Sequence, residues 1–170
     1  MLKQSGKIER LLRQLPTSKN IHFAGICCNS TILASCCNDM TKYNPFCPFM
    51  LQHAETGVID KYFKNKYAKM YQYILCGKFK VRDRAKEIIV IKTNSKNELT
   101  NSKCCLFCFN IMKCFNIKTI YYSNEKGIII KEKLTDFVPD YESSGIIYIK
   151  ELIATNKIKN IGFLTILFRS

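Results

Sequence analysis

Between Gln4 and Leu15 the apolar residues Ile8, Leu11, Leu12 and Leu15 recur at steps of three and four, and the run stops at Pro16. That spacing predicts an amphipathic first helix. The period then shortens. "IHFAGICCN" and "STILASCCN" are two short runs rich in small and β-branched residues, parted at Asn29 and Ser30, and they predict a two-stranded hairpin. "DMTKYNPFCPFMLQ" carries Pro45 and Pro48 and reads as a loop leading to His53. A helix from Ala54 through Tyr73 follows from the three- and four-residue steps of Val58, Tyr62, Phe63, Tyr67, Met70 and Ile74, with Gly57 weakening its start.

"EIIVIK", Glu87 to Lys92, is a continuous apolar run of the buried-strand kind, and "TNSKNELTNSK" is a polar loop. Leu106 to Phe115 reads as a short apolar helix and "KTIYYS" as a strand. "NEKG" turns into "IIIKEKL" as an antiparallel return, because a parallel crossover needs about a dozen residues. The tail "SSGIIYIKELIATNKIKNIGFLTILF" mixes a short strand or helix with a final apolar segment that the pattern does not place. Strands and helices alternating after an initial hairpin predict an α/β protein, a three-layer α/β/α sandwich with helices on both faces of a mixed sheet of about five strands. There is no internal repeat or long linker, and 170 residues suit a single domain, 1–170.

Composition narrows the partners. Lys and Arg total 27 against 13 acids, a formal net charge of +14, which attracts phosphate-bearing partners such as nucleotides and nucleic acid. The densest stretches are "KYFKNKYAKMYQY" and "GKFKVRDRAK". The first could stack bases on a single strand, but such a stripe reads first as one buried helix face with lysines in water. No apolar run approaches the roughly 18 to 20 residues of a membrane span, and "MLKQSGKIERLLRQLP" lacks the apolar stretch of a secretory signal. A soluble, cytoplasmic protein with no membrane partner is expected. In that setting the ten cysteines read as reduced thiols, some of them metal ligands, rather than as a disulfide framework.

Zinc takes imidazole nitrogen and thiolate sulfur, and a catalytic site keeps three protein ligands with the fourth position open. His53, Cys105 and Cys108 supply such a set. Two cysteines at i and i+3 where a helix starts point the same way, and the positive end of the helix dipole favours their thiolate forms. His53 also opens a helix, so a fold that brings the two helix starts to one sheet edge makes one metal pocket. Glu55, two residues past His53, is the carboxylate able to move protons beside it. His22, in a strand, reads as a structural histidine. Cys27, Cys28, Cys36, Cys37 and Cys47 are candidates for a second, structural metal site, although small buried thiols in strands are commoner.

The residues His53, Ala54 and Glu55 with Cys105, Leu106, Phe107 and Cys108 resemble the His-x-Glu and Cys-x-x-Cys signature of the zinc-dependent cytidine and deoxycytidylate deaminase superfamily. The resemblance covers about residues 21–133, leaving 134–170 as a C-terminal extension. It implies zinc as cofactor, Glu55 as the catalytic proton carrier, and Asn38 and Ala54 as substrate-binding positions. It also implies hydrolytic deamination of a cytosine base in a free nucleoside or nucleotide to the uracil form, and assembly as a homo-oligomer. Three features depart from the pattern: Cys104 stands where a proline is expected and offers a competing sulfur, a basic and aromatic segment is inserted between about residues 62 and 84, and Gly57 follows the catalytic turn. Two alternatives stay open, a deaminase acting on single-stranded nucleic acid and a catalytically inactive zinc-stabilised module that binds nucleic acid or protein.

Overall fold

Alternation along the first strand sets the architecture. In β1 (His22–Cys28) Ala24 and Ile26 join one buried cluster while Phe23 and Cys27 join another, as the two-residue period of a strand requires. The computed structural model describes residues 21–28, 31–69 and 87–155, with scattered positions from 6 to 13, from 73 to 82 and at 157. β2 (Thr31–Cys37) pairs antiparallel with β1, as the hairpin pattern predicts. β1 pairs antiparallel with β5 (Glu87–Thr93), which pairs parallel with β7 (Thr119–Ser123), and β7 pairs antiparallel with β8 (Ile129–Lys133). The mixed sheet therefore runs β2, β1, β5, β7, β8.

Three helices are described: α1 (Ala54–Lys66), α2 (Leu106–Cys114) and α3 (Ser144–Ala154). Their buried residues, including Val58, Phe63, Phe107, Ile111, Ile146 and Ile149, share one cluster with Ala24, Ile26, Ile88, Val90 and Ile120 of the sheet. On the opposite face Phe23, Cys27, Ile89, Ile91 and Tyr121 form a second cluster. Among the described residues no helix joins that second cluster, so the α/β sandwich is seen with its helical layer on one face. The first helix expected at Gln4 to Leu15 and the apolar end of the tail lie outside the described residues. No described helix is long and apolar enough to cross a membrane.

Several local expectations are corrected. The segment read as a proline-broken loop is a second, two-stranded sheet, β3 (Asp39–Asn44) against β4 (Cys47–Gln52), with Pro45 in the turn. Pro48 falls inside β4, which a two-stranded ribbon tolerates because a strand with one partner has an unladdered side for the missing N–H. The register shifts twice along this pair. The helix expected through Tyr73 ends at Lys66, where Tyr67 donates its N–H to Phe63 and stacks its ring on that of Phe63 at 6.1 Å. The polar loop after β5 contains β6 (Leu99–Thr100), which pairs with Lys92 and Thr93. The tail forms α3.

The two polar turns use one device. Asn94 Oδ1 accepts from the N–H groups of Lys96 and Glu98, Asn124 Oδ1 accepts from those of Lys126 and Ile128, and the left-handed position is taken by Asn97 in one and Gly127 in the other. The side-chain amide imitates a backbone turn, which is why asparagine opens both.

Aromatic packing fixes α1 to α2. The rings of Phe63 and Phe115 lie 4.9 Å apart and Phe46, in the β3–β4 turn, sits 5.7 Å from Phe115. Phe63 and Phe115 are fully buried, the setting in which truncation to alanine costs about 3–5 kcal/mol. Ile74 and Val81 of the inserted segment are also buried in this cluster, and Asn116 Nδ2 donates to the Val81 carbonyl. In the described part of the insert Phe63, Ile74 and Val81 thus serve the core, while Lys64, Lys66, Lys78 and Lys80 are exposed.

Gly57 has a packing reason. A β-carbon there would lie 2.7 Å from both Cys36 Sγ and Gln52 Nε2, so glycine lets α1 approach β2 and the end of β4. The substitution Gly57→Ala should therefore lower stability by about 1 kcal/mol: overpacking costs about 1–3 kcal/mol and the better helix propensity of alanine returns about 1. A urea-unfolding midpoint unchanged or raised in the variant would contradict this close approach.

Candidate metal centre

The site forms where chain ends meet at one edge of the sheet. β5 and β7 run parallel and finish there, and antiparallel β1 begins there, with His22 opposite Lys92. Asn38, just past β2, donates its N–H to the His22 carbonyl at 2.9 Å. In open α/β sheets the space beyond the carboxyl ends of parallel strands is where ligands bind. The loop that delivers Cys105 is clamped to the same edge: Ser102 Oγ donates to the Val90 carbonyl at 2.8 Å, and Ser102 N–H donates to the Ser123 carbonyl at 2.8 Å.

Both helix starts converge as the spacing predicts. His53 is the residue immediately before α1 and Cys105 the one immediately before α2, each in extended backbone. His53 Nδ1 lies 3.3 Å from Cys108 Sγ and 3.6 Å from Cys105 Sγ, and the three ligand atoms all fall within 4.8 Å of one another. Bond lengths of about 2.0 Å to nitrogen and 2.3 Å to sulfur put these atoms about 3.6 Å apart across a tetrahedral zinc. The donor set therefore fits such an ion with three protein ligands. The cysteines are buried and His53 is half-buried.

The thiols are not equivalent. Cys105 is pulled down to about 4, first by a hydrogen bond from Cys108 and then by the hydrogen bond and charge of His53, which together outweigh burial. Burial pushes Cys108 well up, reinforced by the neighbouring Cys105. For His53 burial acts to lower the pKa, but the hydrogen bond to Cys105 and the negative charges of Glu55 and Cys105 prevail and raise it. The neighbours of Cys105 thus favour its thiolate, the form in which a cysteine binds a metal.

Cys104 does not join the cluster. It is buried, burial pushes its thiol well above the usual range, and the described ligand group contains His53, Cys105 and Cys108 without it. Nor do the hairpin cysteines form a second centre among the described residues. Alternation along the hairpin sends Cys27 and Cys37 to one face of the main sheet and Cys36 to the other, the side on which Cys47 is buried. None of the described cysteines forms a disulfide.

Glu55 is 1% exposed, its Oε2 has no hydrogen-bond partner among the described residues, and its charge acts on His53, Cys104, Cys108 and Tyr141. A buried carboxylate oxygen left unpaired is expensive. Asn38 Oδ1 accepts the Ala54 N–H at 2.6 Å, satisfying one of the orphan donors at the start of α1. Ala54 itself is fully buried.

A cavity of about 500 Å³ opens beside His53, lined by Asn38, Met40, Met50, Leu51, Ser144, Gly145 and Tyr148. One wall comes from α3, beyond the expected core at 21–133. A second cavity, of about 410 Å³ around Phe109, Lys113 and Lys118, holds none of the ligand residues. Tyr141 also belongs to the neighbourhood: its carbonyl accepts the Leu106 N–H at 3.1 Å, and burial with the nearby negative charge of Cys105 raises its phenol. His22, read from the sequence as a structural histidine, has a buried Nε2 with no hydrogen-bond partner among the described residues, 4.0 Å from Glu55 Oε1. Its two-residue register with Ala24 and Ile26 turns it toward the helices. Comparison with protein-family models, with curated proteins and with solved structures gives no match, and what stands is an α/β protein with a His, Cys, Cys group that could hold a metal ion.

Proposed function

We propose that the protein is a zinc-dependent aminohydrolase that deaminates the cytosine base of a free nucleoside or nucleotide to the uracil form. The observation that carries this reading is the convergence of His53, Cys105 and Cys108 beside a buried carboxylate with one unpaired oxygen. That pairing of a three-ligand cluster with an unspent proton acceptor is what hydrolysis needs and a purely structural site does not. When bound at this cluster, zinc supplies a Lewis acid that brings the pKa of water toward 7.

Glu55 moves the protons. Its Oε2 takes one from the attacking water as the oxygen bonds to C4 of the base, and passes it to ring N3. A second proton, from the same oxygen, goes through Glu55 to the exocyclic nitrogen, the C4–N bond breaks, and ammonia leaves. One water is consumed and the uracil carbonyl is formed, with no redox change. Asn38, anchored on Ala54, lines the cavity that would receive the sugar. The cavity falls in the range of about 300–1,000 Å³ usual for small ligands, and the antiparallel β7–β8 pair is the arrangement that in the resembling superfamily goes with free nucleosides and nucleotides.

A second reading, action on single-stranded nucleic acid, draws on the exposed Met40 and Tyr148 at the cavity and on the net charge of +14. The inactive-module reading drew on Cys104 and Gly57, and both have packing explanations. Incubating zinc-loaded protein with cytidine, dCMP and a cytosine-containing oligonucleotide distinguishes the three. Release of ammonia from the small substrates is expected. Turnover of the oligonucleotide alone would shift the reading to nucleic acid, and bound zinc with no turnover on any of them would leave a binding module.

A further inference from the structure

The sequence contains two histidines, and only His53 is used by the site as described so far. His22 opens β1, where its backbone is held on both sides: its register partner on β5 is Lys92, and its carbonyl accepts the Asn38 N–H. The alternation of β1 turns it with Ala24 and Ile26 toward the helical layer, and its ring ends 4.0 Å from Glu55 Oε1. His22 Nε2 and Glu55 Oε2 are two buried polar atoms with no partner among the described residues. They belong to facing side chains. An apolar residue could fill the His22 position with no polar atom to satisfy, so a buried ring nitrogen there calls for an acceptor.

We propose that His22 is a positioning residue for Glu55: its Nε2–H donates to Oε1, fixing the carboxylate so that Oε2 is the oxygen left to handle the proton. The inference rests on the reading of Glu55 as proton carrier. From 4.0 Å, an approach of about 1 Å brings the pair within hydrogen-bond range. The contact divides the carboxylate's two oxygens between orientation and chemistry, the division that a proton carrier held by a neighbouring donor requires.

Three variants test it. His22→Leu should lower kcat by about 10- to 100-fold, the usual effect of losing a supporting hydrogen bond at a metal site, with KM and zinc content unchanged. His22→Gln, which can place an N–H near the same point, should recover most of that loss. Independently of any activity, unfolding midpoints in urea are measured for zinc-free wild type, His22→Leu, Glu55→Met and the double variant. The midpoint shift from His22→Leu should shrink in the Glu55→Met background, because coupled residues are non-additive. Additive shifts overturn the contact, and a kcat unchanged in His22→Leu overturns the positioning role even where the shifts couple. If the wild type turns over no cytosine substrate, the proposed function fails and the urea cycle alone decides whether the two side chains interact.

Discussion

Glu55→Gln is expected to leave the protein folded and zinc-loaded while cutting turnover by about 100- to 10,000-fold, the share that a positioned general acid and base supplies. The amide keeps the shape of the carboxylate but cannot take a proton from water. Stability provides the second half of the prediction. Glu55 is 1% exposed with one oxygen unpaired, so neutralising it removes the penalty of a buried charge, and the variant should unfold at the same or a higher urea concentration than wild type. A carboxylate kept for structural reasons behaves in the opposite way, losing stability when replaced. Ammonia release by Glu55→Gln at near wild-type rate would eliminate this residue as proton carrier, and destabilisation with full activity would reassign it to the scaffold.

The second large effect concerns the ligands. Replacing Cys108 with Ser or His53 with Ala should reduce zinc affinity by more than about 100-fold, beyond what losing only a supporting hydrogen bond does, and abolish turnover with it. Cys104→Ala is the informative control, since Cys104 is as buried as its neighbours but stands outside the ligand group. It should retain zinc and most activity. Metal content after dialysis against a competing chelator, measured by emission spectroscopy, reads both outcomes. Equal metal loss from the Cys104 and Cys108 variants would mean that the sulfurs are arranged differently from the geometry described above.

The His53, Cys105 and Cys108 cluster was legible because its chemistry is local. A cysteine pair at i and i+3 where an apolar helix starts, and a histidine before another, mark a candidate ligand set in the residues themselves; the fold had only to bring two helix starts to one edge. Strands with an unbroken apolar run or a plain alternation were equally readable, as β1, β5 and β7 show. The β3–β4 ribbon was not, because its pairing is irregular and its prolines imitate a loop. The cavity wall on α3 was hidden for a different reason. Ser144, Gly145 and Tyr148 carry no chemical signature, and only the tertiary path of the chain puts them beside His53. Gly57 looked like a weakness in a helix and is a contact surface, a distinction that depends on Cys36 and Gln52 rather than on the helix itself.

The ribbon that precedes His53 is gripped from two directions, by α1 through Gly57 against Gln52 and by α3 through Gly145, where a β-carbon would lie 2.6 Å from Met50 Cγ. With both helices seated that closely, the imidazole has little freedom to lose when an ion arrives. Preorganisation of this kind favours tight capture and a narrow choice of coordination geometry, because the fold rather than the ion dictates where the donors stand. Ions that insist on six oxygen ligands would find nitrogen and sulfur in their place.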